Sequence, residues 1–147
     1  MYRTLECGGK EYRLEYSIEA YLAKVPTADG KYSSFVTPLL KIQDRLGTEE
    51  LEAAMDIPSI AVSALYAGLL RWHGRGRNGD MTILSLEDAG ELAISIIDEH
   101  PDDDELGSFA GLMTMCLAQM EEDGFFKRLA ASEKMQDHKK KAKSPKA

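Results

Sequence analysis

Long apolar runs are missing from this 147-residue sequence, since no stretch approaches the roughly 20 apolar residues that a membrane-spanning helix needs. The first residues, Met-Tyr-Arg-Thr-Leu-Glu, also lack the apolar segment of a secretion signal. Cysteine is scarce, because Cys7 and Cys116 are the only two and lie far apart in the sequence. We therefore expect a cytoplasmic protein that does not contact a membrane and whose two thiols are reduced and buried.

Recognisable catalytic motifs are missing as well. No serine lies in a Gly-x-Ser-x-Gly sequence, and Gly74, Gly76 and Gly79 are not placed between a strand and a helix as a phosphate-binding loop requires. His100 precedes an acidic run at 102–105, but consecutive side chains point in different directions and acids suit a helix N-terminus. The sequence thus predicts no enzymatic activity, no metal and no cofactor.

Charge of one sign dominates most of the chain. Residues 1–133 carry 12 Lys and Arg against 24 Asp and Glu, a net charge of −12, whereas residues 134–147 carry 6 Lys and one Asp. An acidic body of this kind repels nucleic acid over most of its surface, which argues against nucleic acid as a partner. We expect one domain over residues 1–135 and a disordered, Lys-rich tail over residues 136–147.

The only basic patch of the acidic body comprises Arg71, Arg75 and Arg77, beside Trp72 and His73. Arginine pairs with phosphates and tryptophan stacks on bases, which is the pattern of a nucleic-acid contact. The acidic surroundings instead favour a surface loop with the tryptophan anchored in the core. A third alternative stays open, in which the arginines contact an acidic surface of a protein partner or a neighbouring subunit.

Nearly the only strand signal lies in residues 2–16, where two alternating runs flank Gly8 and Gly9. Adjacent glycines suit a two-residue turn that needs positive φ at both positions, and this turn places Leu5 opposite Tyr12. One face of the hairpin is then apolar and comprises Leu5, Cys7, Tyr12, Leu14 and Tyr16. Because a lone hairpin is marginally stable, this face must pack on helices or on another subunit.

The rest of the chain reads as helix, loop or tail, so the predicted fold class is mainly α with an N-terminal β-hairpin. Capping residues predict helix starts at Ser17, Thr37, Thr48 and Ser85. Pro58 is expected to separate two helices, the second of which, over residues 60–72, is apolar on nearly every side and reads as a central buried helix. Pro101 ends the helix that begins at Ser85, and a Met-rich helix starts in the acidic run that follows.

Two apolar surfaces are candidates for protein binding. The hairpin contributes three residues and the Met-rich helix four, namely Leu5, Tyr12, Leu14, Phe109, Leu112, Met113 and Met120. Methionine fills irregular cores and also lines adaptable grooves that accept apolar helices. Both interpretations of the Met-rich helix therefore stay open.

Three segments, in order, resemble tail assembly chaperones of long-tailed bacteriophages. Leu5-Glu-Cys-Gly-Gly-Lys-Glu-Tyr-Arg-Leu-Glu-Tyr-Ser-Ile-Glu-Ala20 resembles their opening Gly-Gly-Lys-Glu-Tyr-x-Leu hairpin and first helix. Residues 60–70 resemble their central helix, with Ala-Gly-Leu near its end, and residues 84–92 resemble the start of the following helix. The resemblance covers roughly residues 4–97, and the long basic loop 73–80 departs from the family's pattern.

The resemblance implies a non-catalytic chaperone that acts in the bacterial host cytoplasm and is absent from the mature virion. Such a protein binds the tape-measure protein, keeps it soluble and helps recruit tail-tube subunits. The two apolar surfaces would contact this client or a second subunit, and we expect a homo-oligomer. Two alternatives stay open: a structural tail or head-tail completion protein retained in the particle, and a small nucleic-acid-binding regulator that uses Arg71, Arg75, Arg77 and the Lys-rich tail.

Overall fold

The computed structural model describes residues 2–26, 30–43 and 51–131. The elements in chain order are β1 (Arg3–Cys7), β2 (Lys10–Leu14), α1 (Ile18–Tyr21), β3 (Lys24–Pro26), β4 (Tyr32–Ser34), α2 (Val36–Gln43), α3 (Leu51–His73), α4 (Leu86–Glu99) and α5 (Phe109–Glu122). A further helix, α6, spans 125–131. The protein is mainly α with an N-terminal β-hairpin, as predicted. The predicted cap Thr48 and the predicted tail 136–147 lie outside the described residues.

The N-terminal hairpin has the predicted register. Strands β1 and β2 pair antiparallel with Leu5 opposite Tyr12. Gly8 and Gly9 form the turn with φ of +60° and +79°, a backbone conformation that glycine adopts without a steric penalty. Four residues of the predicted apolar face are buried, namely Leu5, Cys7, Leu14 and Tyr16. The fifth, Tyr12, is half-buried. The hairpin therefore packs its apolar face on the helices of its own chain.

Helix α3 occupies the centre of the fold, as predicted for the apolar stretch. It contacts α1, α2, α4, α5 and β2. Its buried apolar side chains include three alanines and three larger residues: Ala61, Ala64, Ala67, Ile60, Leu65 and Leu69. Because alanine side chains are small, neighbouring elements can approach the backbone of α3 closely.

The predicted break at Pro58 is wrong, because α3 continues through this residue from Leu51 to His73. A proline inside a helix removes the hydrogen bond to the carbonyl four residues earlier, which is that of Ala54. Ala54, Met55 and Asp56 are exposed. Solvent can therefore hydrate the carbonyl that proline leaves without a donor, and the helix persists.

The expectation of helix, loop or tail after the first hairpin is wrong for residues 24–26 and 32–34, which form strands. Strands β3 and β4 pair antiparallel with Val25 opposite Ser33, and Gly30 has a φ of +79° just before β4. Each strand has only three residues, so the sequence contains too few positions for an alternating pattern to stand out. Buried Val25 and Phe35 attach this second hairpin to the core.

The helix starts confirm some capping predictions and correct others. The Ser85 hydroxyl oxygen accepts a hydrogen bond from the Asp88 amide at 3.2 Å, as an N-cap does. Helix α1 begins directly after Ser17, as predicted, although the Ser17 hydroxyl makes no capping bond. The predicted start at Thr37 is wrong, because α2 already begins at Val36.

The Met-rich helix α5 begins at Phe109, after the acidic run, because the Ser108 side chain caps it. The acidic run forms turns instead, in which the Asp103 carboxylate accepts from two backbone amides.

The hairpin segment lies close against the backbone of α3 at Gly68. The Glu15 amide donates to the Gly68 carbonyl oxygen at 2.9 Å, and the Tyr16 hydroxyl donates to the Ala64 carbonyl oxygen at 2.7 Å. A Cβ atom on Gly68 would overlap Leu14 and would lie 2.8 Å from Cζ of Tyr16. Glycine is therefore required here by the space available between α3 and the hairpin.

We predict that Gly68→Ala lowers the free energy of unfolding by about 1–3 kcal/mol, because the added methyl group displaces the hairpin. Gly90→Ala in α4 is the matched control, since its Cβ would meet Val62 at an ordinary 3.7 Å. This control should gain up to about 1 kcal/mol from helix propensity. Urea unfolding followed by circular dichroism measures both values. Equal shifts in the two variants would contradict close packing at Gly68.

Candidate functional site

Most of the predicted protein-binding residues lie in the core. Five are buried and two are half-buried: Leu5, Leu14, Leu112, Met113 and Met120, then Tyr12 and Phe109. The five buried side chains belong to one continuous hydrophobic cluster with α3. They do not present an exposed surface to a partner in this structure. Of the two interpretations of the Met-rich helix, the core interpretation is the one that the structure shows.

Side chains from three helical segments hold the N-terminal segment by hydrogen bonds to its backbone. The Gly8 amide donates to Glu99 at 2.9 Å, the Arg13 amide donates to His73 at 2.8 Å, and the Tyr16 amide donates to Asp123 at 2.9 Å. The three acceptors come from the end of α4, the end of α3 and the C-cap of α5. These bonds satisfy backbone donors that two paired strands alone would leave open.

The His73 imidazole is buried and has a defined proton position. Its Nε2 accepts from the Arg13 amide, so the proton of the neutral ring is on Nδ1, which lies 3.1 Å from the Asp80 carboxylate. Burial lowers the pKa of His73, and Asp80 opposes this effect only in part. Because the amide occupies Nε2, the ring is not available as a general base for a substrate.

Both cysteines are free and buried, as predicted. Burial, together with the neighbouring Glu99 carboxylate, raises the pKa of the Cys7 thiol to about 11. Burial raises the pKa of Cys116 to about 12. Since the thiolate is the nucleophile, neither cysteine is activated for chemistry at neutral pH.

An apolar groove crosses the N-terminal half of α3. Two adjoining cavities of about 450 and 410 Å³ share Pro26, Ser59 and Ser63. The first lies between α2 and α3, and the second lies between α3 and α4 and reaches Phe109. We call this surface the α3 groove.

The walls of the α3 groove are mostly apolar. Helix α4 contributes Leu86, Gly90 and Ile94, which lie four residues apart and so share one face. Ile94, which belongs to this lining, is 55% exposed. A surface between two helices with such a lining can accept the apolar face of a third helix.

The α3 groove was not predicted from the sequence. The clearest sign of the groove in the sequence is Ile94. This apolar residue lies outside the buried stripe of α4, which Leu92, Ala93 and Ile96 form on the core side. An isolated apolar residue on the polar face of a helix is common at protein surfaces. Its significance depends on Val62 and Phe109, which lie far away in sequence and line the same cavity.

The structure separates the three predicted arginine contacts. Arg71 faces its own chain, with Nε 3.9 Å from Glu15 and Nη1 3.9 Å from Glu19. Arg75 and Arg77 are exposed in the loop that follows α3. These two arginines therefore remain candidates for a partner contact.

The described part of the chain contains no group of three or more His, Cys, Asp or Glu side chains that could hold a metal ion. His100 directs its Nδ1 to the Ile96 carbonyl oxygen at 2.8 Å. No helix within residues 2–26, 30–43 and 51–131 is both long and apolar enough to cross a membrane.

Comparisons with protein-family models, curated proteins and solved structures found no match to this chain. Its function is therefore inferred from its own residues and their geometry.

We predict that stability declines as the pH falls below about 6.5, the ordinary pKa of histidine. The pKa of His73 is lowered in the folded state, so the unfolded state takes up the proton at a higher pH than the folded state does. The contribution of neutral His73 to stability is therefore complete only above about pH 6.5. Urea unfolding at a series of pH values measures this slope. His73→Gln should flatten the slope between neutral pH and about pH 5, because the amide does not titrate.

Asp80 provides an internal reference for this experiment. Burial raises the pKa of Asp80, but hydrogen bonds from Thr82, His73 and Lys10 outweigh it and hold the pKa well below the usual range. Its stabilising contribution is therefore lost only below about pH 4. An unchanged slope near pH 6 in His73→Gln would assign the titration to a different group.

Proposed function

We propose that this protein is a tail assembly chaperone of a long-tailed bacteriophage or prophage. It binds the tape-measure protein, keeps that protein soluble and helps recruit tail-tube subunits. It acts without catalysis in the host cytoplasm, self-associates, and leaves before the tail is complete.

The observation that supports this proposal most is the placement of the three family-like segments. The opening segment forms the hairpin β1–β2 and continues into α1. Residues 60–70 lie in α3 at the centre of the fold, and residues 84–92 span the start of α4. Hairpin, central helix and following helix thus occur in the order that the resemblance implies.

The α3 groove supplies a surface suited to such a client. Because five of the seven predicted protein-binding residues are buried, the exposed apolar area of this groove is the better candidate for client binding. A tape-measure protein is a long helical chain, and an apolar stripe on one helix face fits a groove between α3 and α4. Covering that stripe removes apolar surface that would otherwise drive aggregation.

Net charge supports the same proposal. The whole chain carries −7, with the negative charge concentrated in residues 1–133. Strong net charge keeps a protein soluble through mutual repulsion while it holds an apolar client. The groove and the acidic body thus provide the two properties that a holding chaperone needs.

Co-expression with the tape-measure protein encoded nearby tests the proposal. A soluble complex that co-purifies, and that is lost when this chain is left out, is the expected result. An insoluble tape-measure protein alongside free, soluble chain would contradict the proposal. Finding the chain in purified phage particles would instead support a structural component retained in the tail.

We predict that Ile94→Asp lowers the yield of soluble complex about tenfold or more, because an unpaired carboxylate would be buried against the apolar client. Ile18→Asp is the matched control, since Ile18 is 70% exposed in α1 and does not line the groove. Both variants should keep the circular dichroism spectrum of the wild type. Equal yields from the two variants would exclude the α3 groove as the client site.

A further inference from the structure

A second surface combines arginines with two aromatic rings near the C-terminal end of α3. Tyr2 and Arg13 of the hairpin segment meet Trp72 here, and Arg75 and Arg77 follow in the adjoining loop. We call these five residues the arginine–aromatic surface. None of them lines the α3 groove.

The aromatic rings hold one of the guanidinium groups in place. The Arg13 guanidinium lies 4.8 Å from the Tyr2 ring centre and 5.0 Å from that of Trp72. The two rings meet edge to face at 5.7 Å, and the Trp72 indole N–H donates to Glu15 at 3.1 Å. Cation–π contacts of this kind restrict the side chain and lower the entropy lost when it binds a partner.

Most of the positive charge at this surface is not balanced within the described residues. Over residues 2–26, 30–43 and 51–131, no carboxylate lies within 4.0 Å of Arg13, Arg75 or Arg77, whereas Glu15 and Glu19 lie near Arg71. All three of these arginines, Arg13, Arg75 and Arg77, are exposed. Three arginines without a carboxylate partner within this distance leave positive charge available for a partner on an otherwise acidic protein.

We infer that the arginine–aromatic surface docks a short acidic segment of a partner protein. The planar guanidinium group matches a carboxylate through two parallel hydrogen bonds. Arginine, tryptophan and tyrosine are the residues that contribute most binding energy at protein interfaces. The inference does not depend on the chaperone proposal, because it rests on a different surface.

Charge selects this occupant over the alternatives. A long polyanion such as RNA would extend from the small basic surface onto the acidic body, which repels it. A short acidic segment needs only the arginines. Residues 134–147 of the chain itself carry net positive charge, so they do not complement the surface.

Fluorescence anisotropy of the full chain with a labelled hexaglutamate peptide tests the inference, with a hexaglutamine peptide as the uncharged comparison. We expect the acidic peptide to bind and the uncharged peptide not to bind. The double variant Arg75→Ala/Arg77→Ala should weaken binding about tenfold or more. Arg75→Lys/Arg77→Lys should lose part of the affinity, because lysine keeps the charge but not the planar geometry.

The charge-matched control is Lys24→Ala/Lys127→Ala, which removes two exposed cations elsewhere. Equal weakening by this control would overturn the inference, since it would show a general charge effect. Tighter binding of an oligouridylate than of hexaglutamate would assign the surface to nucleic acid. Self-association that is lost in the arginine double variant, without peptide binding, would assign it to a second copy. All variants are compared only after circular dichroism shows that they fold.

Discussion

The close approach of the hairpin to α3 at Gly68 is the constraint on which the rest of the structure depends. It allows the Glu15 amide and the Tyr16 hydroxyl to reach backbone carbonyls of α3. Leu14 and Tyr16 then complete the core that α5 covers from another side. Because the hairpin and α5 both cover α3, the exposed apolar area that we propose for client binding lies nearer the start of the helix, between α2 and α4.

Local sequence was sufficient to predict the first hairpin, because Gly8 and Gly9 determine the turn and the two-residue period then determines every pair. It was not sufficient at Pro58, where the outcome depends on whether solvent reaches one carbonyl group. The second hairpin was missed because three residues in each strand give almost no periodic signal. Both errors concern segments of a few residues, whereas the fold class was predicted from apolar patterns that extend over whole helices.

The candidate binding surface was harder to predict than the fold. An apolar pattern shows that Met113 and Ile94 prefer contact with other apolar groups, but not which element supplies that contact. Met113 is covered by its own chain, whereas Ile94 remains exposed. The basic patch shows the same difficulty. The carboxylates near Arg71 belong to Glu15, directly after β2, and Glu19 in α1, and only folding brings them close to it.

The acceptors that hold the hairpin are spread along the chain, with His73, Glu99 and Asp123 far from the amides that they bind. During synthesis the ribosome makes the hairpin before any of these three acceptors. A two-stranded hairpin on its own has little stability, so the opening segment has to wait for nearly all of the described chain before it acquires its native contacts. The hairpin therefore acquires its full set of native contacts only after the helices that carry these acceptors have been made.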